Sequence, residues 1–154
     1  MKWVQTEGSL GSMPNHENAW DKLLQIKTSG RDDLKADQYH HPYEPTPYSV
    51  LERLAASSLV HEDDTVLDYG CGKGRVGFFL SYRTKAKTIG IEYDDRIYAE
   101  ALLNRNDADS RAKAEFVLTG AETYAVPSIS TAMGLLETVP SVPCTALPIR
   151  SCRN

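Results

Sequence analysis

An α/β fold with a doubly wound, mostly parallel sheet is what this sequence predicts, and three observations carry the prediction. A short apolar strand, Thr65-Val66-Leu67-Asp68, runs into glycines at alternate positions, Gly70, Gly72 and Gly74. The next stretch, from Arg75, places Val76, Phe79 and Leu80 on one face of a helix. A second apolar strand, Thr88-Ile89-Gly90-Ile91-Glu92, ends in an acidic residue about 20 residues past the glycines, the spacing at which α/β nucleoside sites hold a ribose.

Each part has a physical reason. Glycines at 70, 72 and 74 can take positive φ and let backbone lie against a ligand. A helix N-terminus after such a turn offers unpaired N–H groups to an anion, phosphate or carboxylate. A carboxylate at Glu92 can accept hydrogen bonds from both ribose hydroxyls and repels a 2′-phosphate. A dinucleotide fingerprint places its third glycine three residues after the second. Here Gly74 follows Gly72 by two and Asp68 precedes the first glycine.

The run Val66-Leu67-Asp68-Tyr69-Gly70-Cys71-Gly72-Lys73-Gly74 resembles motif I of the class I S-adenosylmethionine-dependent methyltransferases, D/E-x-G-x-G-x-G, at every defined position. Gly90-Ile91-Glu92 is similar to their motif II. The resemblance implies a Rossmann-like sheet with strand order 3-2-1 in the visible part and S-adenosyl-L-methionine as cofactor. It implies Asp68 near the methionine ammonium, backbone at Gly70, Cys71, Gly72 and Gly74 against the cofactor, and Glu92 on the ribose with Tyr93 beside it. Lys73 is expected to face solvent. Motif III commonly reads Gly-Asp-Ala. Aligned on Ala121, the acid position holds Gly120, and Glu122 stands two residues along. Ala121 is counted in the site on this resemblance.

Upstream, Ala19, Trp20, Leu23 and Leu24 share one face of a helix that Asn15 would cap and Gly30 would end. Pro45-Thr46-Pro47 opens a second helix, with Thr46 as cap and Pro47 first in the helix, running to about Val60. Tyr43 and Tyr48 sit at this entry, either over the cofactor or packing the helix start. His40-His41 has no third ligand at metal spacing and reads as a solvated loop. Ser81 to Lys87 reads as a basic connection carrying Arg83, Lys85 and Lys87. The helix opened at Asp94-Asp95 presents Ile97, Tyr98, Ala101 and Leu102 on one side and pairs Arg96 with Glu100 on the other. Ala114 to Leu118 is a third strand.

The chain thus divides into a helical and loop extension at 1–44, a cofactor-binding half-domain at 45–124, and a Pro- and Ser-rich tail at 125–154, whose charged side chains are Glu137, Arg150 and Arg153. Prolines at 127, 140, 143 and 148 leave no convincing strand there and predict poor order. Strand one is then an open apolar edge that a partner chain could cover, and the chain reads as the N-terminal half of a methyltransferase, shortened or out of frame after about Pro127.

A net charge of −4 gives no global field to attract nucleic acid, and no run approaches the length of a membrane span. Three cysteines, Cys71, Cys144 and Cys152, form no C-x-x-C pair, which predicts a reducing, cytoplasmic setting. The reading is methyl transfer to an unidentified acceptor, whether small molecule, RNA or protein, with no metal and no nameable catalytic residue. Its alternatives are a non-catalytic binding module and a nicotinamide-dependent oxidoreductase.

Overall fold

A computed structural model describes residues 14–32, 43–125 and 147–149, the last by backbone alone. Their elements are helices α1 (Pro14–Leu24), α2 (Tyr48–Ala56), α3 (Arg75–Thr84) and α4 (Asp95–Asp107), and strands β1 (Thr65–Tyr69), β2 (Lys87–Glu92), β3 (Glu115–Leu118) and β4 (Leu147–Ile149). The sheet runs β3-β2-β1-β4. The first three strands are parallel, with Leu67 beside Ile89 and Ile91 beside Val117. The order 3-2-1 expected of the visible half is present.

β4 corrects the expectation of an open edge. It pairs antiparallel with β1, Thr65 against Ile149 and Leu67 against Leu147, so this chain itself covers the edge assigned to a partner. The strand was hidden because Pro148 occupies its centre. Proline cannot donate to a ladder, but it is tolerated in an edge strand, where its nitrogen can face outward. Among the described residues the pairing spans Thr65 to Leu67.

The core lies between the sheet and the helices, where Leu24, Leu51, Phe78, Phe79 and Leu80 are fully or almost fully buried. Trp20 meets Phe79 edge-on at 4.8 Å and lies over Tyr48 at 5.8 Å, so α1 from the N-terminal extension packs into the same core as α2 and α3. Burial on this scale makes each large aromatic worth about 3–5 kcal/mol against alanine.

Several boundaries differ from the sequence reading. α1 stops at Leu24, well short of Gly30, because Gln25 takes a positive φ of 59°. α2 starts at Tyr48 with Pro47 as N-cap and no side-chain cap bond; the Thr46 carbonyl instead accepts from Arg75. It ends at Ala56, and Ser58 at φ 57° breaks it before Val60. α3 continues through Thr84, so half of the expected basic connection is helical and Ser81 is buried. α4 is capped by Asp94, whose carboxylate accepts from the Arg96 N–H. Arg96 pairs with Asp94 and Asp32 rather than with Glu100, which is taken by Lys73 at 2.8 Å.

Candidate functional site

The site is built where β1 ends. Gly70, Gly72 and Gly74 all have positive φ, 72°, 56° and 89°, as the alternate spacing required. Gly74 is the N-cap of α3. The turn is tight on both sides. A Cβ at Gly72 would stand 2.3 Å from the Tyr43 ring, and one at Gly74 would stand 2.5 Å from Phe116.

The N–H groups of the glycine turn itself are used within the fold. Gly70 and Cys71 both donate to the Ile91 carbonyl, at 2.8 and 3.0 Å, and Gly74 donates to the Cys71 carbonyl at 2.9 Å. Gly72 donates to Glu92 Oε2 at 2.9 Å. The parallel register sets Tyr69 beside Ile91, so the last carbonyl and the terminal carboxylate of β2 lie within reach of the turn. These donors close the turn on β2.

Glu92 is therefore a structural collar as well as a candidate ligand. Its Oε1 accepts from the Tyr93 and Asp94 N–H groups at 3.0 and 2.9 Å, and its side chain is buried. A carboxylate has about four lone-pair sites. Three are filled from the backbone, and Oε2 keeps room for a further donor.

Asp68 contrasts with it. It is almost fully buried, and its Oδ2 has no hydrogen-bond partner. Burial, with the Glu92 charge as a second cause, pushes its carboxyl up from 3.8 to about 7. An unpartnered buried carboxylate oxygen is costly unless a donor arrives. A primary ammonium or a hydroxyl donor would satisfy it.

The remaining candidates are placed less evenly. Cys71 is buried, with its Sγ 3.7 Å from the Gly72 carbonyl oxygen and filling the space beside Gly90. Tyr93 is exposed next to Glu92, and Ala121 lies exposed in the turn after β3. Thr119 donates its N–H to the Glu92 carbonyl, which ties that turn to the site. Glu122 folds back over Gly120, and its carboxyl atoms occupy the space a Cβ there would need. Lys73 does not face solvent: it is held between Glu100 and the Tyr43 ring, 5.1 Å from its centroid.

The sequence reading did not single out the group that braces this turn. Arg75, first residue of α3, is buried; it donates to Thr28 Oγ1 at 2.7 Å, bonds Glu17, lies 3.6 Å from Asp21 and stacks on Tyr48 at 4.3 Å. Asp21 also accepts from the Thr28 N–H and from the Tyr48 hydroxyl. Tyr43 donates its hydroxyl to the Thr28 carbonyl at 2.6 Å. Desolvation raises both tyrosine hydroxyls well above their ordinary value, so both act as donors. Tyr43 thus packs on the glycine turn, whereas Tyr48 belongs to the helix layer. The available signal was Glu17 and Asp21, four apart on the helix that also carries Trp20 and Leu24.

Among the described residues no group of three or more His, Cys, Asp or Glu could hold a metal ion, and no helix is long and apolar enough to cross a membrane. His40 and His41 lie outside the described residues.

No family model matches the chain. It is 39% identical over 77 residues to a protein-lysine N-methyltransferase of Saccharolobus islandicus (strain REY15A), covering 47% of each sequence. The chain thus spans about half the length of the curated relative it matches. Among solved structures it overlaps an RNA methyltransferase from Salinibacter ruber in complex with S-adenosyl-L-homocysteine, at 28% identity, 53% of each chain and a TM-score of 0.48. It also overlaps a TehB-like SAM-dependent methyltransferase from Corynebacterium glutamicum ATCC 13032 Kitasato, at 21% identity, 49% of this chain, 38% of the other and a TM-score of 0.39.

Proposed function

We propose, from the partial class I S-adenosylmethionine-dependent methyltransferase fold that this chain carries, that it binds S-adenosyl-L-methionine at the carboxyl ends of β1 and β2 as the cofactor half of a methyltransferase. The observation that carries this is Asp68 Oδ2, a buried carboxylate oxygen without a partner beside three positive-φ glycines and a carboxylate collar. The residues fit the group. Asp68 would receive the methionine ammonium, and Glu92 Oε2 would accept one ribose hydroxyl. The faces of Gly70, Cys71 and Gly72 would carry the contact between them. Gly74, the N-cap of α3, would lie against the cofactor at the end of the turn, and Tyr93 and Ala121 would border the adenine side.

When bound, the cofactor supplies an electrophilic methyl group on a sulfonium, so the protein's task is alignment and exclusion of water. Arg75 fixes the start of α3, Tyr43 and Lys73 roof the turn, and Asp68 changes its proton occupancy as it meets a cation. The acceptor is proposed to be a lysine amine of a protein, in line with the name of the sequence relative.

The test is calorimetric titration with S-adenosylhomocysteine of the wild type, Asp68→Asn and Glu92→Ala. Saturable binding that both substitutions weaken is expected. A flat titration of a cooperatively melting wild type would reject the reading.

A second reading has its own observation. In a doubly wound sheet the ligand crevice opens where strand order reverses beside strand one. Here that side of β1 is taken by the antiparallel β4 over Thr65 to Leu67. This favours a binding module that holds the cofactor without transferring its methyl group. A methylation assay with radiolabelled cofactor and a lysine-rich protein separates the two.

A further inference from the structure

The first half of the glycine turn is tied to β2, and its second half is held from α4. That helix buries Ile97, Ala101 and Asn104, a stripe at helical spacing. An apolar side chain would be the ordinary last member of such a stripe. Asn104 is instead an amide only 5% exposed, and a buried amide is costly unless its hydrogen bonds are made.

They are made, and all to main chain. Asn104 Nδ2 donates to the Lys73 carbonyl at 3.0 Å and to the Lys27 carbonyl at 3.2 Å, and Oδ1 accepts from the Lys27 N–H at 2.8 Å. The orientation of the amide is forced, because a main-chain N–H only donates and the two carbonyls only accept. Lys73 stands between Gly72 and Gly74, so the carbonyl held here belongs to the peptide that enters Gly74, the N-cap of α3 at a φ of 89°. Lys27 precedes Thr28, whose hydroxyl accepts from Arg75 and whose carbonyl accepts from Tyr43. One amide thus joins the turn to the strip that carries Thr28. Glu100, one helical turn earlier, pairs with the Lys73 ammonium at 2.8 Å, but its side chain is 45% exposed, and a solvated pair contributes little. The buried amide is the stronger constraint.

We propose that Asn104 is a positioning residue of the cofactor turn: by fixing the Lys73 carbonyl it sets the Lys73–Gly74 peptide, and through that peptide the backbone surface offered to S-adenosyl-L-methionine. This role rests on the cofactor site proposed above and names the residue that holds it in shape. It also carries a reciprocal consequence. If the bond to Lys73 favours binding, bound cofactor must protect that bond by the same factor. An amide that only filled the core would show no such link.

The test uses the full chain. Asn104→Asp keeps the size of the side chain and the acceptor for the Lys27 N–H, and when ionised it has no donor for either carbonyl. In calorimetric titration with S-adenosylhomocysteine at pH 8 it is expected to bind at least about tenfold more weakly than wild type, the scale of one or two lost buried hydrogen bonds. The Gly74 amide nitrogen resonance is expected to move with it, since its own peptide carbonyl has lost a donor. Leu51→Val, a core change on α2, is expected to lower the melting temperature and leave affinity within about twofold. In the wild type, saturating S-adenosylhomocysteine is expected to slow hydrogen exchange of the Asn104 side-chain amide more than that of the Trp20 indole N–H, which bonds Glu52 in the same core; this measurement stands even if Asn104→Asp does not fold. Asn104→Asp binding as tightly as wild type, Leu51→Val losing as much affinity as Asn104→Asp, or Asn104 exchange that the ligand does not slow beyond Trp20 would each overturn the positioning role while leaving the cofactor site intact. A flat wild-type titration would reject the site and this role together.

Discussion

Asp68 sits where a carboxylate is least comfortable, and that makes it the residue whose behaviour is easiest to measure. Its carboxyl titrates at about 7 in the folded chain and at 3.8 in the unfolded one. Between these values the folded state binds a proton that the unfolded state has lost, so stability falls as pH rises and levels off above about 7. The full difference is on the order of 4 kcal/mol. Asp68→Asn removes the titration. The variant is expected to be more stable than wild type at pH 8, with the gap closing towards pH 4, as read from urea unfolding midpoints. A cation bound at Asp68 favours the ionised form, so affinity for S-adenosylhomocysteine should rise from pH 6 to pH 8, with proton release seen as a buffer-dependent heat. At Gly72 two penalties coincide, a φ of 56° and a Cβ 2.3 Å from the Tyr43 ring. Gly72→Ala should cost about 1–2 kcal/mol from the left-handed backbone alone, and more from the clash. Repeating it in a Tyr43→Ala background should recover only the clash, as a double-mutant cycle will show.

Among the elements, α1 and α3 depend on one buried cation. Arg75 holds Glu17, Asp21, Thr28 and the Thr46 carbonyl around the first turn of α3. Arg75→Met would leave Asp21 and Glu17 uncompensated and should cost about 3–5 kcal/mol. Thermal melting gives the loss, and faster proteolysis within residues 14–32 would locate it. Elements whose signal is local were legible in the sequence. The glycine turn, β2 with Glu92 and the apolar stripe of α4 all announce themselves by period or spacing. Elements defined by distant partners were not. Nothing near Arg75 in sequence names Glu17 or Thr28, and a three-residue strand centred on Pro148 carries no β pattern. β4 makes its own prediction: amides in Thr65 to Leu67 that point towards it should be protected from hydrogen exchange in the full chain, and a Leu147→Pro substitution should release them.

At the scale of the molecule, the three parallel strands that frame the candidate site are in place, and their order 3-2-1 was readable from the motif resemblance. On the side of β1 away from β2, an antiparallel strand pairs with Thr65 to Leu67. On the proposed reading, holding S-adenosylmethionine and transferring its methyl group are two properties to be tested separately. The central claim concerns the first. The direct measurement is calorimetric titration of the wild-type chain with S-adenosylhomocysteine at pH 8, with Asp68→Asn in parallel. The account predicts one saturable site in the wild type and at least a tenfold loss in a variant that is folded and more stable than its parent. A variant that binds as tightly as the wild type would contradict it, because the buried carboxylate would then have no part in the site.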